Sequence, residues 1–373
     1  MILNKLKIDK RTLKQIDFLI FLIPIVIAIF SSLNIYSAVH RNSTLASTWK
    51  LQLIWCLMGI IAIYIIIKMD YDFLKNYAEI IYGLAVVLLV INDIFGSTRN
   101  GATGWIAIGQ RAIQPSEFAK IALVIILAKK VDAMKDGINN VKNFFIILIY
   151  AAIPTALVLI QPDMGMAMVY FFTVLGIVFA AGLDLRVIFG GIFGIIVAVV
   201  GIWNTSLMQQ YWKARLTSFL NPEKYSSSTG LQLIQSKIAI GSGGIFGKGF
   251  LKGTQIQGGY IPENYTDFIF SVVGEEWGLI GAIVLMLLYI ILIYRIIKMS
   301  KSSKDTFGKI FCVGMASTFL FSVYQNMGMT IGIAPISGLT LPFMSYGGSS
   351  MFTAFIAIGI ILSIGVRKNK INF

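Results

Sequence analysis

The sequence predicts an all-α integral membrane protein, a polytopic bundle of about ten transmembrane helices with one large extracytoplasmic loop. Of its 373 residues, 57% are hydrophobic and only 13% are charged, which is too little polar surface for a soluble globule of this size. Apolar runs long enough to cross ~30 Å of hydrocarbon recur along the whole chain. Residues 1–373 are therefore expected to form one transmembrane domain.

Ten apolar segments have the length of membrane spans. They are about 16 to 39, 50 to 68, 77 to 95, 117 to 134, 144 to 160, 165 to 182, 185 to 206, 267 to 296, 309 to 333 and 347 to 366. The first follows five basic residues, but it is longer than a signal-peptide core and no A-x-A cleavage site follows it. We interpret it as a retained anchor.

The basic residues predict an orientation. An even number of spans places both termini on one side, and the segments of that side hold 20 of the 31 Lys and Arg residues. The positive-inside rule then predicts cytoplasmic termini in a bacterial plasma membrane. No clustered basic face of the kind that binds nucleic acid is present in the sequence.

Cysteine and histidine content excludes several kinds of metal site. Cys56 and Cys312 lie in apolar runs without a metal-binding spacing, so they are predicted to be small hydrophobic core residues. His40 is the single histidine, which removes HExxH metalloproteases and histidine-containing di-iron bundles.

Two outer segments are unusually elaborate. Residues 96–116 are rich in glycine and carry Trp105 and Arg111, and residues 207–266 form a loop longer than a connection needs. The apolar and basic mixture of the long loop, with Arg215, Lys237 and Lys248, favours short interfacial helices. GSGGIFGKG (241–249) fails the phosphate-loop pattern, although its amides and Lys248 are expected to be able to cradle a pyrophosphate.

Three carboxylates stand in or at one predicted span, where an ionised group costs about 2.5 to 3.5 kcal/mol near the bilayer centre. Asp267 falls at the mouth of the span, where it is either a helix cap or a group that reaches a substrate. Glu275 and Glu276 lie deeper, with no base before Arg295 on the same span. They are expected to find partners on other helices or to stay protonated.

Polar residues also mark the starts of the fourth and sixth spans. Glu117 and Lys120 form either an ordinary ion pair of a helix start or part of a polar cavity for an anionic substrate. Asp163, in the QPDMG turn, is either a helix cap or a functional carboxylate.

The C-terminal stretch NMGMTIGIAPISGLTLPFMSYGGSS (326–350) contains two prolines and several helix-breaking glycines, Gly347 and Gly348 among them. It predicts a shaped loop or re-entrant turn at the outer face. Ser345 lacks a GxSxG context and a histidine base, which argues against a serine hydrolase.

This stretch resembles the C-terminal motif of the shape, elongation, division and sporulation (SEDS) family. GATGWIAIGQRAIQPSEFAK, QPDMG and PENYTDFIFSVVGEEWG are similar to further family landmarks in the same order, so the resemblance covers nearly the whole chain. IQSKIAIGSGGIFGKGFLKGTQ is more similar to the elongation branch than to the division branch, and a sporulation paralogue stays open.

The resemblance implies a peptidoglycan glycosyltransferase that polymerises lipid II for cell-wall elongation and cell shape, with a class B penicillin-binding protein as transpeptidase. By motif, Asp267 matches the essential aspartate, and Trp105, Glu117, Lys120 and Asp163 match positions associated with function. It also implies a divalent cation, Mg²⁺ or Mn²⁺, held by Asp267 and a pyrophosphate together. The expected cations for that pyrophosphate are Lys120, Arg111, Arg215, Lys237 and Lys248.

Two other functions fit the same residues. A lipid II flippase would use a path lined by Glu275, Glu276, Glu117 and Lys120, whereas a scaffold would only hold a penicillin-binding protein in place. The transferase depends on Asp267, the flippase on the deep glutamates and the scaffold on neither. The long basic outer loop favours the transferase.

Overall fold

Helices make up most of the part of the chain that the computed structural model describes, which is residues 15–99, 102–109, 111–203, 205, 210–225 and 229–367. The helices are α1 (Phe18–Val39), α2 (Thr48–Lys68), α3 (Tyr71–Asn76), α4 (Ala78–Phe95), α5 (Pro115–Asp132), α6 (Val141–Ile160), α7 (Met164–Ala180), α8 (Leu185–Ile202), α9 (Gln210–Leu220), α10 (Thr229–Gly243), α11 (Thr254–Gln257), α12 (Ile269–Lys301), α13 (Thr306–Ile331) and α14 (Gly348–Val366). The all-α polytopic fold that the sequence predicts is confirmed.

Eight helices in the described ranges are long and apolar enough to cross a membrane: α1, α2, α4, α6, α8, α12, α13 and α14. The other two predicted spans are also helices. The helix α7 has only 17 residues, and α5 carries charged residues at both ends. Most of α5 is buried inside the bundle, so its charges face protein rather than lipid.

The centre of the bundle is formed by α5, α13 and α14, which are largely buried, whereas α8 has no buried residue. Close helix contacts depend on small residues. A Cβ at Gly59 of α2 would lie 2.5 Å from the Phe355 ring of α14, and one at Gly176 of α7 would lie 1.9 Å from Oγ of Ser317 on α13. Such contacts are typical of membrane bundles, where packing replaces hydrophobic burial as the driving force.

A small antiparallel sheet stands between α4 and α5, at the face where α4 ends. Its strands are β1 (Ser97–Arg99), β2 (Ala102–Ile108) and β3 (Arg111–Ile113), in the order β1-β2-β3. The sheet is joined to the start of α7 because the Thr103 amide donates to the Gln161 carbonyl at 3.1 Å. The glycine-rich segment is therefore an ordered structure beside the QPDMG turn.

The helix α12 is broken at Gly278, whose backbone is left-handed (φ 63°, ψ −162°). The segment 244–249 fills the break: the amides of Lys248 and Gly249 donate to the carbonyls of Glu275 and Glu276 at 2.9 and 3.0 Å. In return, the amides of Leu279 and Ile280 donate to residues 244 and 245. Residues 244–249 thus supply hydrogen bonds to the backbone groups of α12 that the break leaves without helical partners. Such groups need a partner, because the hydrocarbon of a membrane offers none.

This arrangement corrects one expectation: the amides of Lys248 and Gly249 are occupied by α12 instead of being open to a pyrophosphate. It also divides the predicted span 267–296 into two helical pieces. The long loop does contain short helices, as predicted. However, α10 is packed into the bundle, because Ser236 Oγ bonds to Ser271 Oγ and to the Thr330 carbonyl, each at 2.7 Å.

Candidate active site

Asp267 lies two residues before α12, at the face where α4 and α6 end and α5 and α7 begin. Its side chain is half-buried, and its backbone is outside the helical ladder that starts at Ile269. Asp267 is not the N-cap of this helix, because that position belongs to Phe268. The carboxylate is therefore free of the capping role that the sequence left open.

Arg215 of α9 and Asp267 both lie beside Gly338. A Cβ on Gly338 would lie 3.5 Å from Oδ2 of Asp267 and 3.5 Å from Nη2 of Arg215, so both charged groups border one space beside this glycine, the Asp267 gap. Gly338 has a left-handed backbone (φ 74°), and Arg215 Nη1 donates to the adjacent Ser337 carbonyl at 2.6 Å. The C-terminal loop and the long loop thus meet at Asp267.

Asp163 is the N-cap of α7, where its Oδ1 accepts from the Met166 amide at 3.0 Å, and its Oδ2 accepts from Gln114 Nε2 at 3.2 Å. The capping interpretation therefore agrees with the structure. The position also belongs to the site, because Arg215 acts electrostatically on both Asp163 and Asp267. Trp105 is half-buried on β2, next to Gly104, which lies against the Asp163 carboxylate.

Glu117 and Lys120 form an ion pair of 2.6 Å on the first turn of α5, and Thr353 Oγ1 donates to the same Glu117 oxygen at 3.1 Å. Glu117 is buried, with 3% of its side chain exposed, and Lys120 is 12% exposed. Both line a small cavity together with Ser322, Leu339, Thr340 and Ser350. Leu339 and Thr340 follow Gly338 directly, so this cavity and the Asp267 gap share one loop.

Burial first, and then the negative charges of Glu263 and Asp163, raise the pKa of Asp267 from 3.8 to about 7, against the opposing effect of Arg215. The pKa of Asp163 is also raised, first by burial and then by Glu117, while the Met166 amide, Arg215 and Gln114 lower it. Near neutral pH, Asp267 is thus a far better proton acceptor than an ordinary aspartate. Glu263, four residues before Asp267, was missed by the sequence reasoning, although a carboxylate at that spacing was a usable signal.

The deep glutamates lie in a separate network. Oε1 of Glu275 accepts from the Lys248 ammonium at 2.7 Å, the Thr254 hydroxyl at 3.2 Å and the Gln255 amide at 2.9 Å, and Oε2 accepts from the Ile256 amide at 3.0 Å. Oε1 of Glu276 accepts from Ser37 Oγ on α1 at 2.5 Å. These partners come from a loop and another helix, as expected for carboxylates without a base on their own span.

One predicted substrate cation is placed differently from expectation: Lys248 is bound to Glu275, where it holds residues 244–249 to α12. Lys237 lies against Gly332 at the carboxyl end of α13, where a cation complements the helix dipole, and its role as a substrate cation stays a prediction. Arg111 begins β3, and its side chain is outside the described part of the structure.

The remaining predicted residues shape the loop before α14. Ser345 Oγ donates to the Thr266 carbonyl at 2.6 Å, next to Asp267. Gly347 is the N-cap position of α14, and a Cβ on Gly348 would lie 2.5 Å from the Trp55 ring. Glycine at 348 lets α14 approach α2 closely.

The residues fit a divalent cation only in part. No group of three or more His, Cys, Asp and Glu side chains suited to a metal ion occurs within the described ranges. Asp267 does carry the repulsion of Glu263 and Asp163, which a cation would relieve. Mg²⁺ commonly binds one or two carboxylates together with substrate phosphates, and Asp267 fits that mode.

A polytopic helical bundle with a carboxylate of near-neutral pKa, a facing guanidinium and an adjoining polar cavity at one membrane face is typical of an integral membrane enzyme that acts on an anionic substrate. Comparison with known proteins makes the assignment specific. A family model covering FtsW, RodA and the stage V sporulation protein E, described as "Cell cycle protein", matches residues 11–370. The chain belongs to this family, the SEDS family that its motifs resemble.

Named relatives match almost the full length of the chain. The peptidoglycan glycosyltransferase MrdB of Escherichia coli (strain K12) is 35% identical over 96% of this chain and 95% of its own. The peptidoglycan glycosyltransferase RodA of Treponema pallidum (strain Nichols) is 31% identical over 96% and 99%. The probable peptidoglycan glycosyltransferase FtsW of Trichlorobacter lovleyi is 36% identical over 94% and 93%.

Solved structures match the fold. A chain from the structure described as "Structural coordination of polymerization and crosslinking by a peptidoglycan synthase complex" has a TM-score of 0.80 and 27% identity, over 94% of this chain and 97% of that one. The rod shape determining protein RodA of Thermus thermophilus has a TM-score of 0.71 and 26% identity, over 95% and 98%.

Proposed function

We propose that this protein polymerises lipid II into β-1,4 glycan strands at the outer leaflet, with Asp267 as the general base. Its class, peptidoglycan glycosyltransferase, follows from its family and from relatives of that name over more than nine-tenths of the chain. The observation that carries the mechanism is the half-buried Asp267 carboxylate beside Gly338, with Arg215 at the same glycine, and its pKa is raised to about 7.

The orientation is part of the proposal. The excess of basic residues on the side of the termini supports cytoplasmic termini. Because Asp267 lies at the opposite face, its carboxylate then meets substrate at the outer leaflet. A polar sugar headgroup with a lipid tail suits a site at the mouth of a helix, where water and lipid meet.

In the proposed reaction, Asp267 accepts the proton of the acceptor GlcNAc 4-hydroxyl as that oxygen attacks the anomeric carbon of the donor. The bond from the anomeric carbon to the undecaprenyl pyrophosphate breaks, and the pyrophosphate leaves with its electron pair. Attack opposite the leaving group converts an α-linked donor into a β-linked product. A positioned base of near-neutral pKa contributes about 10²- to 10⁴-fold to such a step.

Arg215 and Lys120 are the proposed cationic contacts of the pyrophosphate. Arg215 stands at the Asp267 gap, and Lys120 lines the adjoining cavity, with its ammonium already 2.6 Å from Glu117. Charge stabilisation of the leaving group by fixed cations replaces a general acid. A Mg²⁺ or Mn²⁺ ion bound to the pyrophosphate would add Lewis-acid stabilisation of the same leaving group, while the Asp267 carboxylate stays available as the base.

A class B penicillin-binding protein is the proposed partner, and cell elongation is the proposed setting. Support for the partner comes from the matched chain that is part of a peptidoglycan synthase complex coordinating polymerisation and crosslinking. Support for elongation comes from the similarity of residues 234–255 to that branch and from the RodA relatives. Relatives named FtsW match equally well, so the setting depends on the motif.

The test measures polymerisation of labelled lipid II in detergent with Mg²⁺ or Mn²⁺, in the presence of the cognate penicillin-binding protein with its transpeptidase blocked. Wild type, Asp267→Asn and Glu275→Gln are compared. Glycan ladders are expected from wild type and Glu275→Gln and not from Asp267→Asn. Folded wild type that forms no polymer but moves lipid II across vesicles would instead establish the flippase, and activity in neither assay would favour the scaffold.

A further inference from the structure

The backbone that carries Asp267 is held by the C-terminal part of the chain. Just before α12, three successive backbone carbonyl oxygens, those of residues 265 to 267, each accept one hydrogen bond from this C-terminal part. The pairs are the Tyr346 amide to Tyr265 at 2.9 Å, Ser345 Oγ to Thr266 at 2.6 Å, and Asn326 Nδ2 to Asp267 at 2.8 Å. These contacts lie before the first helical residue, Ile269, where the α12 ladder does not fix the chain.

The side chains of Asn326 and Ser345 also bond to the loop that follows Gly338. Asn326 Nδ2 donates to the Leu339 carbonyl at 2.7 Å, and Ser345 Oγ accepts from the Leu341 amide at 2.8 Å. Asn326 is fully buried and Ser345 is 3% exposed, so water does not compete for these bonds. Each side chain therefore ties the Asp267 backbone to the loop that begins at Gly338.

The clamp formed by Asn326 and Ser345 rests on α1 and α2. Gln52 Nε2 donates to the Ser345 carbonyl at 3.0 Å and to Ser31 Oγ at 2.9 Å, and Ser31 Oγ donates to the Met344 carbonyl at 2.5 Å. All the side chains in this layer are buried. These buried bonds attach the loop before α14 to α1 and α2, and they hold Ser345 in place.

We propose that Asn326 and Ser345 are positioning residues of the transferase: they hold the Asp267 carboxylate at a fixed place relative to Gly338 and Arg215. This inference rests on the proposed role of Asp267 as base. Neither residue touches the reacting atoms, so their effect passes through the backbone of Asp267. Misplacement of a catalytic group by about 1 Å can cost about 10²-fold in rate, which sets the scale of the effect.

The experiment compares Ser345→Ala and Asn326→Ala with wild type, using initial rates of lipid II polymerisation over a range of lipid II concentrations. Thr173→Val is the matched control. Thr173 of α7 is hydrogen-bonded at 2.7 Å to Thr318 of α13, the helix that also carries Asn326, and the substitution removes this buried bond away from Asp267. Thermal unfolding of each detergent-solubilised variant is measured in parallel.

We expect kcat to fall by about 10- to 100-fold in both variants while KM changes by less than about threefold, since binding groups stay in place. Thr173→Val is expected to keep the wild-type kcat at a similar loss of thermal stability. If Asn326→Ala does not fold, the single hydroxyl removed in Ser345→Ala decides the matter alone.

Two results would overturn the inference: a wild-type kcat in Ser345→Ala, or a kcat loss in Thr173→Val that follows thermal stability in the same way. Asp267→Asn is assayed alongside to separate the two claims. If that variant keeps its kcat, the proposed base is wrong. If it is inactive while Ser345→Ala and Asn326→Ala turn over normally, only the positioning role fails.

Discussion

Replacing Asp267 with asparagine is expected to stabilise the protein while it removes activity. The raised pKa means that the folded state disfavours the ionised carboxylate relative to the unfolded chain. The rise of the pKa from 3.8 to about 7 corresponds to about 4 kcal/mol, at ~1.36 kcal/mol per pKa unit. This figure is the upper limit of the stabilisation expected from Asp267→Asn. Since the side chain is half-buried and partly solvated, we expect about 1 to 2 kcal/mol.

The stability difference between Asp267→Asn and wild type is expected to increase with pH. Below about pH 4 the carboxyl is protonated in both states, so the two proteins should be equally stable. As the pH rises from about 4 to about 7, the wild type loses stability that the asparagine variant keeps, and the difference is constant above about pH 7.

The assay is thermal unfolding of both detergent-solubilised proteins at pH 5 and pH 8, with a difference of a few degrees that is larger at pH 8. A variant that is less stable than wild type at pH 8, or a difference that shrinks as pH rises, would refute the reasoning.

Two further substitutions test the geometry around the site. Gly338→Ala should lower polymerisation at least tenfold, because it strains a left-handed backbone and puts a methyl group into the gap at Asp267. Gly182→Ala is its control, with the same backbone hand and open space around it, and equal losses in the two variants would contradict the role of the gap. Lys248→Met should lower the free energy of unfolding by about 2 to 3 kcal/mol, since it leaves the buried Glu275 carboxylate without its cation. Glu275→Gln breaks the same ion pair and should also lower the free energy of unfolding in the same denaturation assay, and a wild-type free energy of unfolding in Lys248→Met would contradict the stabilising role of the pair.

Much of the fold follows from the sequence, because membrane spans depend on local apolar length. All ten predicted segments form helices, and Asp267 stands at the mouth of α12 as predicted. The small sheet of β1, β2 and β3 escaped prediction, because strands of three to seven residues carry little periodic signal.

The parts that failed depend on contacts between distant residues. The break at Gly278 is possible only because residues 244–249 supply hydrogen bonds to α12, and no local pattern in either segment shows this. Lys248 was expected at the substrate for the same reason: its charge is visible in the sequence, but its partner Glu275 is 27 residues away. The charge of Arg215 could be predicted, whereas its position beside Gly338 and near Asp267 could not.

The most direct test of Asp267 as general base is the pH dependence of kcat/KM for lipid II polymerisation at fixed divalent cation, because this ratio reports the pKa of the free enzyme. A base with a pKa of about 7 is active when deprotonated, so kcat/KM should rise through about pH 7 and reach a plateau above it. Any residual rate of Asp267→Asn should lack this rise. A wild-type rate that is flat from pH 5 to 8, or the same rise in Asp267→Asn, would contradict the assignment of the base.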